Sequence, residues 1–261
     1  MKNENATKYL NTIPGKSNYS KRGSMLILET RFDIKLKNIS IHNVNITLRG
    51  GDILGLVGRS GSGKSTILKS IIGALNYQGK VQLCDDAKTV DIRDFLGYSQ
   101  QENALYDMLT LEENIRIYGE LYDVKKQVIA ERMKILLSRL GLNGNEKKLV
   151  KEFSGGMKKR ADLAVALIHD PKVLVLDEPF NGLDISLQQF IWTFIKELSS
   201  KGYIVIITSH ILEHLKKNCT QFGLIENGYY YDTSQIYAYL KKGKEKSLEI
   251  FLQNIFSRDP K

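Results

Sequence analysis

The chain has 261 residues, 42% of them hydrophobic and 26% charged, with a formal charge of +9. That composition suits one composite, soluble globular domain with a substantial core. It leaves no room for a membrane-spanning helix: the longest apolar stretches, such as Val173–Leu176 and Tyr203–Ile207, are only strand length, far below the roughly 20 apolar residues that cross a bilayer. Lysines recur in Lys35/Lys37, Lys125/Lys126, Lys147/Lys148, Lys158/Lys159 and Lys241 to Lys246. They read as a solvated basic surface, or as attraction to an anionic membrane face at about 1 kcal/mol per nearby residue. The basic–aromatic interleaving, zinc pattern or RNA-recognition motif of a nucleic-acid binder is absent, so no nucleic-acid partner is expected.

Met1–Ser24 is rich in Asn, Lys and Ser and lacks an apolar signal core, so it reads as a polar tail. Met25–Thr30 alternates toward β. Ile34–Leu48 carries two more alternating runs with a break near His42–Asn43, which predicts antiparallel strands joined by a tight turn there. Ile53–Val57 is a continuous apolar run, as in a strand buried on both faces. Val173–Leu176, Ile204–Thr208 and Phe222–Ile225 are three more, with helical patterns between them. A mostly parallel sheet flanked by helices is the economical α/β architecture. Cys84 and Cys219 have neither metal nor redox spacing and read as free thiols in a reducing compartment.

After the strand Ile53–Val57 come Gly58, Arg59, Ser60, Gly61, Ser62, Gly63, Lys64 and Ser65, the spacing G-x-x-x-x-G-K-[ST]. A helix follows from about Lys64, with Ile67, Leu68, Ile71 and Ile72 on one face. Glycines let successive backbone N–H groups curl around phosphate oxygens, and the helix N-terminus faces the same anion. Lys64 then reaches the β- and γ-phosphates of ATP, the Ser65 hydroxyl coordinates Mg²⁺, and the cradle extends through Thr66. Further on, Asn103–Glu152 is Leu/Glu/Lys-rich without strand alternation. Thr110 and Glu113 read as a capping box, and Ile129, Met133, Leu136, Leu137 and Leu140 repeat at helical spacing before Gly141. The four apolar residues Val173–Leu176 end in Asp177, an acid at the sheet edge where α/β folds bind ligands. Asp177 is therefore the Mg²⁺-side acid. Glu178, next to it, is placed to orient or deprotonate the attacking water. An Asp-Glu at a strand end is weak evidence alone; beside the phosphate loop it is strong.

With these residues in place, the sequence resembles the ABC ATPase family from about Met25 to Leu252. Phe153-Ser154-Gly155-Gly156-Met157-Lys158-Lys159-Arg160 looks like that family's signature, with Phe153 for Leu and Met157 for Gln. Ser154, Gly155 and Gly156 precede a helix running to about His169, a second helix N-terminus suited to an anion. A plain N-cap would explain Ser154 but not the paired glycines. Gly97–Glu102 resembles the Q-loop, with Gln101 as its metal-binding and catalytic glutamine; Gln100 stands where proline is usual and could be confused with it. Asn181-Gly182-Leu183-Asp184 resembles the D-loop between subunits, and Thr208-Ser209-His210 the H-loop, which sets His210 near the γ-phosphate. A lone His at a strand end would otherwise be unremarkable. The family stacks adenine on an aromatic near position 35, where Lys35 stands; the nearest aromatic, Phe32, also suits the core.

The resemblance implies a P-loop NTPase core with a mostly parallel sheet, an N-terminal antiparallel β subdomain and an inserted helical subdomain at about 103–153, between polar tails at 1–24 and 253–261. It implies ATP and Mg²⁺ as ligands, and a second ATPase subunit, identical or not, paired head to tail. ATP would then lie between one phosphate loop and the Ser154–Gly156 segment of the other subunit. It also implies an integral membrane transporter subunit that holds this one on the cytoplasmic side. Ala104–Asn114, Gly155-Gly156-Met157 and Ser247–Leu252 look like the branch that powers exporters. Two other classes compete. A soluble ATPase of iron–sulfur cluster assembly also lacks a span, but those exporter-like tracts argue against it. ABC proteins of DNA repair, chromosomes or translation carry long coiled coils, zinc modules or tandem ATPase domains, whereas here there is one motif set.

Overall fold

The computed structural model describes residues 25–86, 88–209 and 212–242. The expected tails at 1–24 and 253–261, the Ser247–Leu252 tract and His210 lie outside the described residues.

The first two strands, β1 (Leu26–Lys35) and β2 (Ser40–Arg49), alternate buried and exposed positions as their sequences do. They pair antiparallel over almost their whole length. The chain turns between them at 36–39, where the Leu36 N–H donates to the Ile39 carbonyl at 2.9 Å. The turn expected at His42–Asn43 is therefore misplaced. Asn43 takes φ 61°, and its N–H donates to Asp33 Oδ1 at 2.7 Å where the register slips between Phe32 and Ile34. The break in alternation is a β-bulge inside one strand; Asn tolerates the left-handed backbone that both a turn and a bulge need.

Next come β3 (Ile53–Gly58), α1 (Lys64–Ile71), β4 (Gln78–Asp85), β5 (Lys88–Val90) and β6 (Leu96–Ser99). The helices α2 (Leu111–Leu121), α3 (Lys126–Arg139) and α4 (Gly155–Leu167) follow. The chain then forms β7 (Val173–Leu176), α5 (Ile185–Ser200), β8 (Ile204–Thr208), α6 (Leu212–Asn218), β9 (Gln221–Glu226), β10 (Tyr229–Asp232) and α7 (Thr233–Lys242). The sheet order is β5-β4-β1-β2-β10-β9-β3-β8-β7-β6. One arm, β9-β3-β8-β7-β6, is parallel; the other, β5-β4-β1-β2, is antiparallel. β10 joins them, antiparallel to β9 and touching β2 in parallel at Tyr229 and His42.

Strands β7 and β8 are buried on both faces, and their alternate residues serve two cores. Leu174, Leu176, Val205 and Ile207 pack with α2–α5, whereas Val173, Val175, Ile204 and Ile206 pack with α1 and the antiparallel arm. Continuous apolar runs are what such strands require. Phe32 belongs to the second core. It is 3% exposed, with its ring 5.0 Å from that of Tyr77, and so is not a surface on which adenine can stack. No helix among the described residues is long and apolar enough to cross a membrane.

Candidate active site

The parallel strands deliver the phosphate loop and the acids Asp177 and Glu178 to one edge. β3 ends in Gly58, and the loop Arg59–Gly63 turns into α1, whose first turn holds Lys64, Ser65 and Thr66. The loop is tight enough to demand its glycines. A Cβ on Gly58 would lie 2.3 Å from Ser62 Oγ and 2.9 Å from the Ile225 carbonyl. Gly63 caps α1 at φ 106°, and a Cβ there would meet Ile41 Cδ1 at 2.3 Å. Residues with side chains rarely adopt such a backbone.

Lys64 is drawn back over the loop. Its Nζ donates to the carbonyls of Gly58 at 2.9 Å and Arg59 at 3.1 Å, and lies 4.0 Å from Glu178 Oε1. Burial pushes the ammonium's pKa down, and Glu178 and Asp177 pull it back up. A cation held this way carries its charge in a poorly solvated cradle, where a phosphate would feel it strongly. Ser62 Oγ is buried without a hydrogen-bond partner among the described residues. A buried hydroxyl of this kind costs free energy unless an acceptor reaches it, which fits a phosphate oxygen.

The acids come from β7. Asp177 is 3% exposed; its N–H donates to the Ser99 carbonyl at 2.9 Å, and its Oδ1 accepts from Thr208 Oγ1 at 2.6 Å. Glu178 follows in left-handed backbone, φ 46°, with its N–H donating to the same Thr208 hydroxyl at 2.8 Å. Thr208 thus aligns both acids from the end of β8. The sequence reading gave it no role beyond its place beside His210. The signal was available: a hydroxyl ending an otherwise apolar buried strand needs a polar partner. Tyr98 lies near Asp177 and Asp162, and burial raises its hydroxyl's pKa to about 12. The hydroxyl of Ser65, the carboxylate of Asp177 and the amide oxygen of Gln101 are hard oxygen donors that suit Mg²⁺. Gln101 itself sits in the exposed loop after β6, and its side chain makes no hydrogen bond to another described residue.

Ser154, Gly155 and Gly156 lie elsewhere. Ser154 caps α4, its Oγ accepting from the Met157 N–H at 3.3 Å. This helix N-terminus opens on a cavity of about 470 Å³ shared with Arg160, Gly182, Asp184 and Phe190, and no residue of the phosphate loop lines it. Gly156 is needed within the chain, since a Cβ would meet Leu187 Cδ2 at 2.5 Å. Gly155 is not: a Cβ there would meet nothing within 4 Å.

A buried strand, a glycine loop cradling a lysine, a helix and a facing acid at the end of another parallel strand define a P-loop nucleotide triphosphatase. The ABC transporter family model matches residues 41–181. Bacillus subtilis (strain 168) "ABC transporter ATP-binding protein NatA" is 32% identical over 76% of this chain and 83% of its own length. "Nod factor export ATP-binding protein I" of Burkholderia lata is 33% identical over 77% of this chain. "Linearmycin resistance ATP-binding protein LnrL" of Bacillus subtilis is 32% identical over 74%. This chain spans 66% and 63% of those two proteins. A solved structure described as the "ATP binding subunit of ABC transporter" superposes with a TM-score of 0.75, at 24% identity over 88% of this chain and 99% of that one. The chain belongs to the ABC transporter family, as an ATP-binding, ATP-hydrolysing subunit.

Proposed function

We propose that this subunit drives a membrane exporter from the cytoplasmic face, as one half of a head-to-tail ATPase pair. Residues 25–252 are the ATPase domain, and the membrane subunit docks near the Q-loop and the helical insertion at about 103–153. The observation that carries the pairing is the separation of the anion-binding elements. The cradle around Lys64 faces Asp177 and Glu178, while the helix N-terminus at Ser154–Gly156 opens on a different cavity lined by the D-loop. Neither encloses a nucleotide alone. One ATP between the phosphate loop of one subunit and Ser154–Gly156 of the other would complete both.

In that arrangement the N–H groups of Gly58–Thr66 and the Lys64 ammonium hold the phosphates. Ser65, Asp177 and Gln101 would hold Mg²⁺, which would neutralise phosphate charge. Glu178 takes the proton of the attacking water, and His210 contacts the γ-phosphate. Export in particular is supported by the relatives whose names are those of export and resistance proteins; these names favour transport over iron–sulfur cluster assembly.

Glu178→Gln tests the reading. The substitution keeps the shape of the site and removes the base, so hydrolysis falls about 10²–10⁴-fold while ATP binding survives. The mutant runs as a dimer with ATP and Mg²⁺ and as a monomer with ADP, by size-exclusion chromatography with light scattering. Turnover at the wild-type rate rules out Glu178 as the base. A mutant that loses turnover yet stays monomeric with saturating ATP rules out a self-sufficient homodimer.

A further inference from the structure

The segment Ala161–Leu167 of α4 is buried throughout, yet it carries Asp162, 1% exposed, and the preceding turn carries Lys159, 9% exposed. The pair lies 3.6 Å apart. Burying two charges costs more than it returns unless further hydrogen bonds satisfy them. Here those bonds go to one place, the two ends of the loop that carries Gln101. At its start, Lys159 Nζ donates to Ser99 Oγ at 2.9 Å and to the Gln100 carbonyl at 3.0 Å, and Ser99 Oγ donates to Asp162 Oδ2. At its end, the Ala104 N–H donates to Asp162 Oδ1 at 3.2 Å, while the Ala104 carbonyl accepts from the Tyr118 hydroxyl of α2. Ser99 also accepts the Asp177 N–H through its carbonyl, so the cluster reaches the strand of the metal-side acid. Between the two anchored ends, Gln101 and Glu102 are exposed.

We propose that Lys159 and Asp162 are positioning residues. They fasten both ends of the 100–104 loop to the helix whose N-terminus bears Ser154–Gly156, so that Gln101 and the signature segment move as one body. This rests on the reading of Gln101 as a contact to Mg²⁺ and the reacting phosphate. A buried ion pair fixes a geometry where an apolar contact would let the loop slide, which is the best-attested use of such pairs. When α4 shifts against a nucleotide held by the other subunit, Gln101 shifts with it. An error of about 1 Å in such placement costs on the order of 100-fold in rate.

The test uses the full chain, with two readouts. The first is hydrogen exchange of the Ala104 amide, which donates to Asp162 Oδ1 at the end of the loop. Lys159→Met raises its exchange at least about tenfold while the amides of α1 stay at the wild-type rate. The second is ATP turnover in wild-type and Gln101→Ala backgrounds. Lys159→Met lowers kcat about tenfold with KM for ATP within about twofold, and has no further effect once Gln101 is gone. Lys159→Arg, which keeps a cationic donor, recovers most of both. Ser99→Ala removes only the bridging hydroxyl; it shows the same directions at smaller size and serves if Lys159→Met does not fold. Unchanged loop exchange in both variants overturns the proposal, and so does an equal loss of kcat in both backgrounds. If Gln101→Ala turns over ATP like wild type, the assigned role of Gln101 fails instead, and the exchange measurement still decides whether the loop is fastened.

Discussion

Two glycine-rich turns in this molecule each precede a helix N-terminus, and they are built to opposite specifications. The turn at Gly58–Gly63 is packed by its own chain at both ends, while Gly61 between them is open in space but held at φ 77°. Ser62 and Ile225 press on Gly58, Ile41 presses on Gly63, and Lys64 bends back onto two loop carbonyls. The turn at Ser154–Gly156 is closed on one side only: Leu187 presses on Gly156, and nothing lies near Gly155. Gly155 thus leaves room for a group that arrives from outside. The first turn is packed at both ends and the second is open on one side, a difference that the proposed interfacial nucleotide would explain.

The hardest way to break this comparison is to empty the packed turn. Lys64→Ala removes the cation that bridges the loop to Glu178, and turnover measured by phosphate release falls by about 10³-fold or more, with weakened nucleotide binding. Turnover equal to wild type would remove the phosphate-loop assignment. The same blow at the open turn has a different signature. Gly155→Asp puts an anion where, in the proposed pair, the other subunit's γ-phosphate would arrive, yet an acid in the first turn of α4 favours the helix. The mutant folds and binds nucleotide like wild type, while turnover falls about 10²-fold. Impaired nucleotide binding by the isolated mutant would show that Gly155 belongs to the same half-site as Lys64.

The contrast between the two turns also shows what a sequence can carry. The phosphate loop was legible because strand, glycines, lysine and helix are contiguous, from Ile53 to Ile72. The capping box of α2 was legible for the same reason: the Thr110 and Glu113 side chains each accept the other's backbone N–H. What escaped was assembled across the chain. Lys158 and Lys159 look alike in sequence and read together as basic surface. Only Lys158 meets that description, pairing with Asp107 at 2.7 Å, whereas Lys159 points inward to partners sixty residues away. The clue was Asp162, an acid inside an apolar helical run, since a buried charge requires a partner. Neither β4 nor β5 has a continuous apolar run or a clean alternation, because few of their residues are buried. The cradle's edge could be read from its own residues, while the alignment of its acids by Thr208 depends on β7 and β8 lying side by side.

The smallest effect sharpens the comparison most, because it needs no nucleotide. Gly63→Ala and Gly155→Ala add the same methyl group to the residue at the start of a helix. At Gly63 the backbone is left-handed, φ 106°, and the methyl would press on Ile41 and Ile39. Strain of this kind costs about 1–3 kcal/mol, and a domain of this size loses roughly 2–4 °C in Tm per kcal/mol. At Gly155 the backbone is helical and the space is open, so the methyl costs nothing in packing, and Ala is favoured over Gly within a helix by up to about 1 kcal/mol. In nucleotide-free protein, thermal unfolding followed by circular dichroism therefore gives a Tm below wild type for Gly63→Ala, and at or slightly above it for Gly155→Ala. If Gly155→Ala melts several degrees below wild type, the chain needs that glycine for its own fold, and its openness no longer points to a partner. If it keeps its stability but loses turnover, the position matters only to what docks on it, and the two turns differ as their surroundings indicate.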